Sequence, residues 1–421
     1  MKKRVNTGDL RPGMYVFELD RPWLDTPFGV HSFSITTPEQ LSQLRQHCEY
    51  VVVETDLEMP DADTMFDPFQ RTVSPPGVDR PELELEILRK YSAPGYEQSR
   101  YMDMYPVETG IRAVRSVHDQ TIQLVDDIFR QVSLGRRFVA TAASTMVSEL
   151  AESVIGNPDA LVCLSLMEQT HAPLVHHSVR TAIFAMVLGR HLGMSKMQLQ
   201  SLGLGTLLHD IGKTRVPTEI LECGYELNES EQSLLHAHVK HGIDILENTE
   251  GVPADAIDVT RLHHEHYDGS GYPKNLRENE INQFGHIGAI VNFYDNLTFP
   301  PPGKHAAAPY RALKIMYELR GRQFHPQLVE EYIRCMGMYP IGSVVEMRSG
   351  EVGVVVALNR TRRLKPRVEL VLDGSHKRFK PPISVDLTQY RNRHGEFLEI
   401  ARATENGAFD FNPLDYLPVV A

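Results

Sequence analysis

The hydrophobic pattern changes period several times along the chain. Met14-Tyr15-Val16-Phe17 and Tyr50-Val51-Val52-Val53 are short runs rich in β-branched and aromatic residues, Gly13 and Gly29 punctuate them, and Pro38-Glu39-Gln40-Leu41 opens a brief amphipathic helix. Residues 1–56 therefore read as a small α+β module. From 57 to 105 periodicity gives way to Pro, Asp, Glu and Ser, with SPPGVDRP at 74–81, the composition of a linker. Val114, Val117, Thr121, Leu124, Ile128 and Val132 then recur at helical spacing, so 107–134 is expected to be a long amphipathic helix. Its apolar stripe needs a partner. The next helix, 138–155, or the domain that follows serves better than a seam between two copies of the chain, although an oligomer stays open.

Residues 157–339 are helical throughout in this reading. The segment 174–192 is apolar on nearly every face and marks a buried central helix with His177 in its opening turn. A second helix runs from Leu199 to Ile211 and ends at Gly212, a third from Glu229 to Leu246, and a fourth from Ala254 to His266, entered through Pro253. After Pro340 the period becomes that of strands, at 343–347, 352–358 and 367–372, so 340–421 is expected to be a β-rich appendage. The fold class is multidomain and mainly α: an all-helical core, a small N-terminal α+β domain and a C-terminal β-rich piece, with 106–156 leading into the core.

Composition narrows the function classes. At 421 residues the chain exceeds one compact core. Its four cysteines, Cys48, Cys163, Cys223 and Cys335, lie far apart, which argues against a cysteine metal knuckle or a disulfide framework. The formal charge of −12 argues against a general nucleic-acid surface, though a small phosphodiester ligand needs only a local cluster of donors. No apolar run approaches a membrane span, and the chain reads as cytoplasmic without membrane insertion.

The candidate chemistry is concentrated in six residues. His177, the pair His209 and Asp210 in LLHDIGK, His238, and the pair His263 and His264 opening HHEHYDGSGYP fall near the ends of four successive helices. A single histidine on a helix is usually a packed or surface residue. Six such coincidences describe how a helical bundle builds an internal metal site. Asp210 has two oxygens with which to bridge two ions, and Lys213 would set a cation beside a substrate phosphate. Gly269 and Gly271 would let backbone amides approach a ligand, Asp268 would orient a ligand histidine or tie down the loop, and Tyr272 would offer its ring for stacking on a planar base.

On LLHDIGK and HHEHYDGSGYP, residues 170–338 resemble the HD-GYP family, whose members hydrolyse cyclic dinucleotides. The resemblance implies that His177, His209, Asp210, His238, His263 and His264 ligate two divalent ions, iron or manganese, and that cyclic di-GMP is opened to a linear dinucleotide or GMP. Residues 1–56 look like the module that precedes some of these domains. The chain departs from the family pattern at four places. Asn292 stands where an aspartate supplies the last metal ligand and is expected to ligate through its uncharged amide carbonyl, and Pro301 stands where an arginine grips phosphate, with Lys304 keeping the second basic position. Pro173 replaces the glutamate of a third metal, and CGYELN at 223–228 replaces a lysine-proline-glycine stretch. Asp295 matches a second family aspartate with a structural role. Two readings follow: a cyclic di-GMP phosphodiesterase, with activity reduced by Asn292 and Pro301, or a degenerate domain acting as a nucleotide receptor or a scaffold for other signalling proteins. Hydrolysis of another nucleotide by the helical core is a third, which the glycine-tyrosine-proline loop disfavours.

Overall fold

The computed structural model describes residues 2–10, 15–19, 33–35, 38–48, 50–54, 101–167, 172–221, 227–300, 304–391, 395, 397–405 and 407–418. Two compact units divide the chain, Met1–Arg71 and Thr72–Ala421. In the first, strands β1 (Lys2–Asn6), β2 (Tyr15–Leu19), β3 (Phe33–Ser34) and β4 (Tyr50–Glu54) form one antiparallel sheet in the order β1-β4-β2-β3. With α1 (Pro38–His47) they enclose a core of Leu10, Val16, Leu19, Ile35, Leu44, Cys48 and Val51. Tyr15-Val16-Phe17 and Tyr50-Val51-Val52-Val53 of the two apolar runs are strand, and Met14 lies outside the described residues. Of the expected linker only 101–105 lies among the described residues, so SPPGVDRP falls outside them.

The second unit opens with α2 (Val107–Ser133), which buries Val107, Ile111, Val114, His118, Thr121, Val125, Ile128 and Val132 along one stripe. Its partners are α3 (Ala140–Gly156), α4 (Pro158–Met167) and α5 (Pro173–His191), so the stripe is satisfied within the chain. Tyr105 wedges between α2 and α3: a β-carbon on Gly156 would lie 2.3 Å from its hydroxyl. Only glycine fits there.

Helix α5 is the axis of the bundle. Pro173 occupies its first helical position, where the missing N–H costs nothing, and every residue from Val175 to Arg190 is buried. Around it lie α6 (Lys196–Leu208), α8 (Glu229–Glu247), α9 (Ala254–Leu262), α10 (Gln283–Thr298), α11 (Pro309–Glu318) and α12 (Pro326–Met336), with α7 (Thr218–Leu221) a single turn. Reciprocal capping fixes where two of them begin. Ser195 pairs with Gln198 at α6, and Asn228 accepts from the Ser230 and Glu231 amides at α8. Helices α6 and α9 stop earlier than their periodicity predicts, at Leu208 and Leu262, because 211–215 tightens into a 3-10 turn and 263–266 leaves the helix. That places His209, Asp210, His263 and His264 just past helix ends.

Five antiparallel strands complete the unit: β5 (Val344–Met347), β6 (Val352–Ala357), β7 (Arg367–Leu372), β8 (Arg378–Asp386) and β9 (Ile400–Thr404), in the order β8-β7-β6-β5-β9. The last two escaped the sequence reading because both are edge strands: RFKPPISVD carries charges and two prolines, and IARAT is short with one large apolar residue. Alternation then sorts the sheet's two faces. Val344, Val352, Val354 and Val356 join the helical core, whereas Val345, Met347, Val355, Val368 and Val385 form a second cluster. The sheet is thus part of the helical unit and not the separate appendage expected from residue 340 onwards. Among the described residues no single helix is long and apolar enough to cross a membrane.

Asp159, buried at the start of α4, ties sheet to helices by accepting from the Leu358 amide at 2.8 Å and from Arg360. Replacing it with alanine leaves an amide and a guanidinium unmatched. Asp159→Ala is expected to lower unfolding stability by about 2 kcal/mol, read from the urea midpoint; an unchanged midpoint would show that the tie contributes nothing.

Candidate metal centre

Asp210 is fully buried, and its two carboxylate oxygens face opposite ways into a ring of imidazoles. Oδ1 lies 3.4 Å from His238 Nε2 and 3.7 Å from His263 Nε2. Oδ2 lies 3.5 Å from His177 Nε2 and 3.6 Å from His209 Nε2, and accepts from Lys213 Nζ at 2.5 Å. Donor atoms of Asp210, His238, His263 and His264 fall within 4.8 Å of one another, as do those of His177, His209 and Asp210. The carboxylate belongs to both groups.

Each of four imidazoles is turned inward by a hydrogen bond at its back. His209 Nδ1 meets Thr206 O at 2.6 Å, His238 Nδ1 meets Leu235 O at 2.6 Å, and His263 Nδ1 meets Thr260 O at 2.9 Å. A carbonyl only accepts, so Nδ1 carries the proton and the Nε2 lone pair points to the centre. For His209 and His263 the acceptor lies in a final helical turn, where carbonyls lack intrahelical partners. His177, on α5, uses a carboxylate: Nδ1 lies 2.7 Å from Asp295 Oδ2, and Asp295 is gripped by Arg180 Nε at 2.6 Å and Nη2 at 2.9 Å. Phe299 lies against that guanidinium, 4.2 Å away. The structural role expected of Asp295 is visible in these bonds. Arg180 was missed, though a charged residue in an otherwise buried helix is itself a signal of a buried partner.

The residues fit a metal on three grounds. His177 Nε2, His209 Nε2 and Asp210 Oδ1 are buried with no hydrogen-bond partner, a costly condition that a cation would relieve. Donors about 2.1 Å from a shared ion stand roughly 3.0–3.4 Å apart at tetrahedral to octahedral angles, close to the spacings here. Protonation agrees as well. Burial pushes His209 down to about 3 and His238 and His264 well below the usual imidazole range, so these three imidazoles are neutral, as a metal would require. Burial alone would raise Asp210, but the Lys213 ammonium and the imidazoles around it hold the carboxyl well below its usual range.

The turn after Asp210 is pressed against α8. A β-carbon on Gly212 would lie 1.9 Å from His238 O and 2.5 Å from the Gly242 amide, so only glycine lets His238 reach Asp210. The loop after His264 is closed by its own residues. Glu265, buried at 1% exposure, accepts from the Lys274 and Leu276 amides, and Asp268 accepts from the Ser270 amide. Asp268 therefore ties down the loop. Glu265 was overlooked between its histidine neighbours, and its two loop amides explain its burial.

Three expectations are revised. Tyr272 lies nearly parallel to His264 at 4.5 Å and to His236 at 3.8 Å. Two rings so close cannot share one face, so both faces of Tyr272 are covered and the ring clamps the loop instead of stacking on a base. A β-carbon on Gly269 would strike the Arg277 side chain, and one on Gly271 would lie 2.2 Å from the His266 amide. Both glycines are accounted for by contacts within the loop, without a ligand. Asn292 is buried on α10, one turn before Asp295, and its Oδ1 accepts from Asn296 Nδ2 at 3.0 Å, within the same helix. Lys304 is half-buried shortly before α11, while Pro301 and most of the CGYELN stretch lie outside the described residues.

A family model described as an HD domain matches residues 162–328, and one described as a domain of unknown function matches 2–143, across the expected module, linker and most of the first helices. A cyclic di-GMP phosphodiesterase of Pseudomonas aeruginosa is 30% identical over 420 residues, covering 99% of this chain and 95% of its own. The chain belongs to the HD-GYP family. Two other relatives match a shorter stretch: a cyclic di-GMP phosphodiesterase response regulator of Xanthomonas campestris, 31% identical over 157 residues, and a 3'3'-cGAMP-specific phosphodiesterase of Vibrio cholerae, 30% identical over 155. These alignments cover 37% of this chain each, and 41% and 30% of the relatives.

Two outcomes are expected. Gly212→Ala should push α8 away and lower bound metal in reconstituted protein at least about tenfold, measured by elemental analysis; wild-type metal content would count against the close contact. The second concerns pH. His209, together with His118 and His286, both held down to about 4 mainly by burial, stays neutral in the fold while the unfolded chain takes up protons near pH 6.5. Stability of the metal-free protein is then complete above about pH 6.5 and falls on acidification, by about 1–2 kcal/mol per buried imidazole by pH 5. A melting temperature flat between pH 7.5 and 5 would refute this.

Proposed function

We propose that the chain hydrolyses a cyclic dinucleotide, cyclic di-GMP foremost, at a two-metal centre that His177, His209, Asp210, His238, His263 and His264 hold. The observation that carries this reading is Asp210, one oxygen toward each group of imidazoles. Iron or manganese suits a donor set of five imidazoles and a carboxylate. When bound, two such ions supply Lewis acidity for in-line attack of water on phosphorus and for departure of the ribose oxygen.

The protein's own groups set the geometry. Asp295 and the three backbone carbonyls fix the tautomers, so four imidazoles present Nε2 without rearrangement. Lys213, buried beside Asp210, brings a positive charge to the place where negative charge gathers on the phosphate oxygens. Lys304 remains the candidate for a second phosphate contact. The names of the relatives support the substrate class, and the cGAMP-specific relative makes that hybrid dinucleotide the natural competitor. The second reading, a receptor that binds nucleotide or a signalling partner without turnover, draws on Asn292, which is neutral and engaged with Asn296.

The test combines metal content and product. After reconstitution with excess iron or manganese, about two ions per chain and conversion of cyclic di-GMP to linear dinucleotide or GMP by chromatography are expected, with His209→Ala and Asp210→Ala losing both. Metal and nucleotide binding without product would favour the receptor. Absence of metal after reconstitution would end the two-metal reading.

A further inference from the structure

The two halves of the centre are not equal. On the Oδ1 side of Asp210, His238 and His263 lie 3.4 and 3.7 Å from a carboxylate oxygen that has no hydrogen-bond partner, and His264 belongs to the same group of donors within 4.8 Å of one another. On the Oδ2 side there are two imidazoles, His177 and His209, and the oxygen is already bonded to Lys213 Nζ at 2.5 Å. An ion entering there shares its only anionic donor with an ammonium group, which both occupies a lone pair and repels a cation. Asn292, which stands where the family pattern has an aspartate, carries no charge, and its oxygen is engaged by Asn296. The carboxylate behind His177 Nδ1 is gripped by two nitrogens of Arg180, which offset part of the basicity that a free carboxylate would lend the ring. Two features lower affinity on the Oδ2 side, one imidazole fewer and a carboxylate oxygen already bonded to Lys213 Nζ, whose charge His238 and His264 feel as well.

We propose that the chain loads its ions in order: first at Asp210 Oδ1 with His238, His263 and His264, and only at higher metal concentration at Oδ2 with His177 and His209. The second ion is the one set by metal supply, and the protein with one ion is a stable intermediate state. This rests on the two-metal reading of the centre and concerns affinity, so it is tested without any activity.

The experiment is a titration of the chelator-stripped full chain with Mn2+, followed by equilibrium dialysis and electron paramagnetic resonance. Two binding events separated by at least about tenfold in Kd are expected, with an isolated Mn2+ spectrum at one equivalent and a spin-coupled pair appearing only with the second. His177→Ala should delete the weak event and spare the tight one, whereas His264→Ala should weaken the tight event. Asn292→Asp and, separately, Lys213→Met should tighten the weak event at least about threefold and leave the tight one unchanged. Two ions of equal affinity, a coupled spectrum from the first equivalent, or loss of the tight event in His177→Ala would overturn the order of loading while leaving the two-metal centre standing. No Mn2+ binding at all would overturn both. A phosphodiesterase assay that fails on protein carrying two ions would instead count against the proposed substrate alone.

Discussion

A carboxylate taken entirely out of water is the constraint around which this molecule is arranged. Asp210 lies at 0% exposure, and burial of a lone charge is prohibitive unless partners surround it. Lys213 supplies one countercharge within the same turn. The imidazoles around it turn ring nitrogens toward the same space, and His177 Nε2, His209 Nε2 and Asp210 Oδ1 are left there without a hydrogen-bond partner. Every nearby element is placed accordingly: α5 delivers His177, the ends of α6 and α9 deliver His209, His263 and His264, and α8 is admitted to contact by the bare backbone of Gly212. The fold is an enclosure for this group before it is anything else.

How much of this was legible in the sequence depended on whether a residue's role is local. The six candidate ligands could be read because adjacent His-Asp and His-His pairs at helix ends are rare without a shared purpose, and the structure brings all six together. Helix existence was legible from the 3.6-residue period, but the ends of α6 and α9 were not. Apolar periodicity runs on through Ile211 and beyond Leu262, while the backbone has already turned to aim the ligands. The roles given to Tyr272, Gly269 and Gly271 failed for another reason. A sequence shows which residues are able to face a ligand, and only the folded loop shows that their surfaces are spent on His236, Arg277 and the backbone at 264–266.

Partners distant in sequence were the remaining blind spot. Asp295 is 115 residues from Arg180 and 118 from His177, and no spacing rule links them. The last strands were hidden by composition, since an edge strand protects itself with the charged and prolyl residues that argue against strands in general. Their neighbours β5 to β7 were found because both faces are covered, which leaves nearly continuous runs of valine and leucine.

The shared core of sheet and helices bears on how this protein can be cut and recombined. The HD-domain match ends at residue 328, but Val344, Val352, Val354, Val356 and Val371 belong to the same apolar interior as Phe184 and Leu188 of α5. A segment trimmed to the matched boundary would open that interior to water along a whole sheet face and strand Asp159 without its acceptor role. The unit of inheritance, as sequence similarity draws it, is smaller than the unit that folds. Shuffling of this catalytic block between chains therefore has to carry the strands along, or find a substitute wall for the side of the bundle they close.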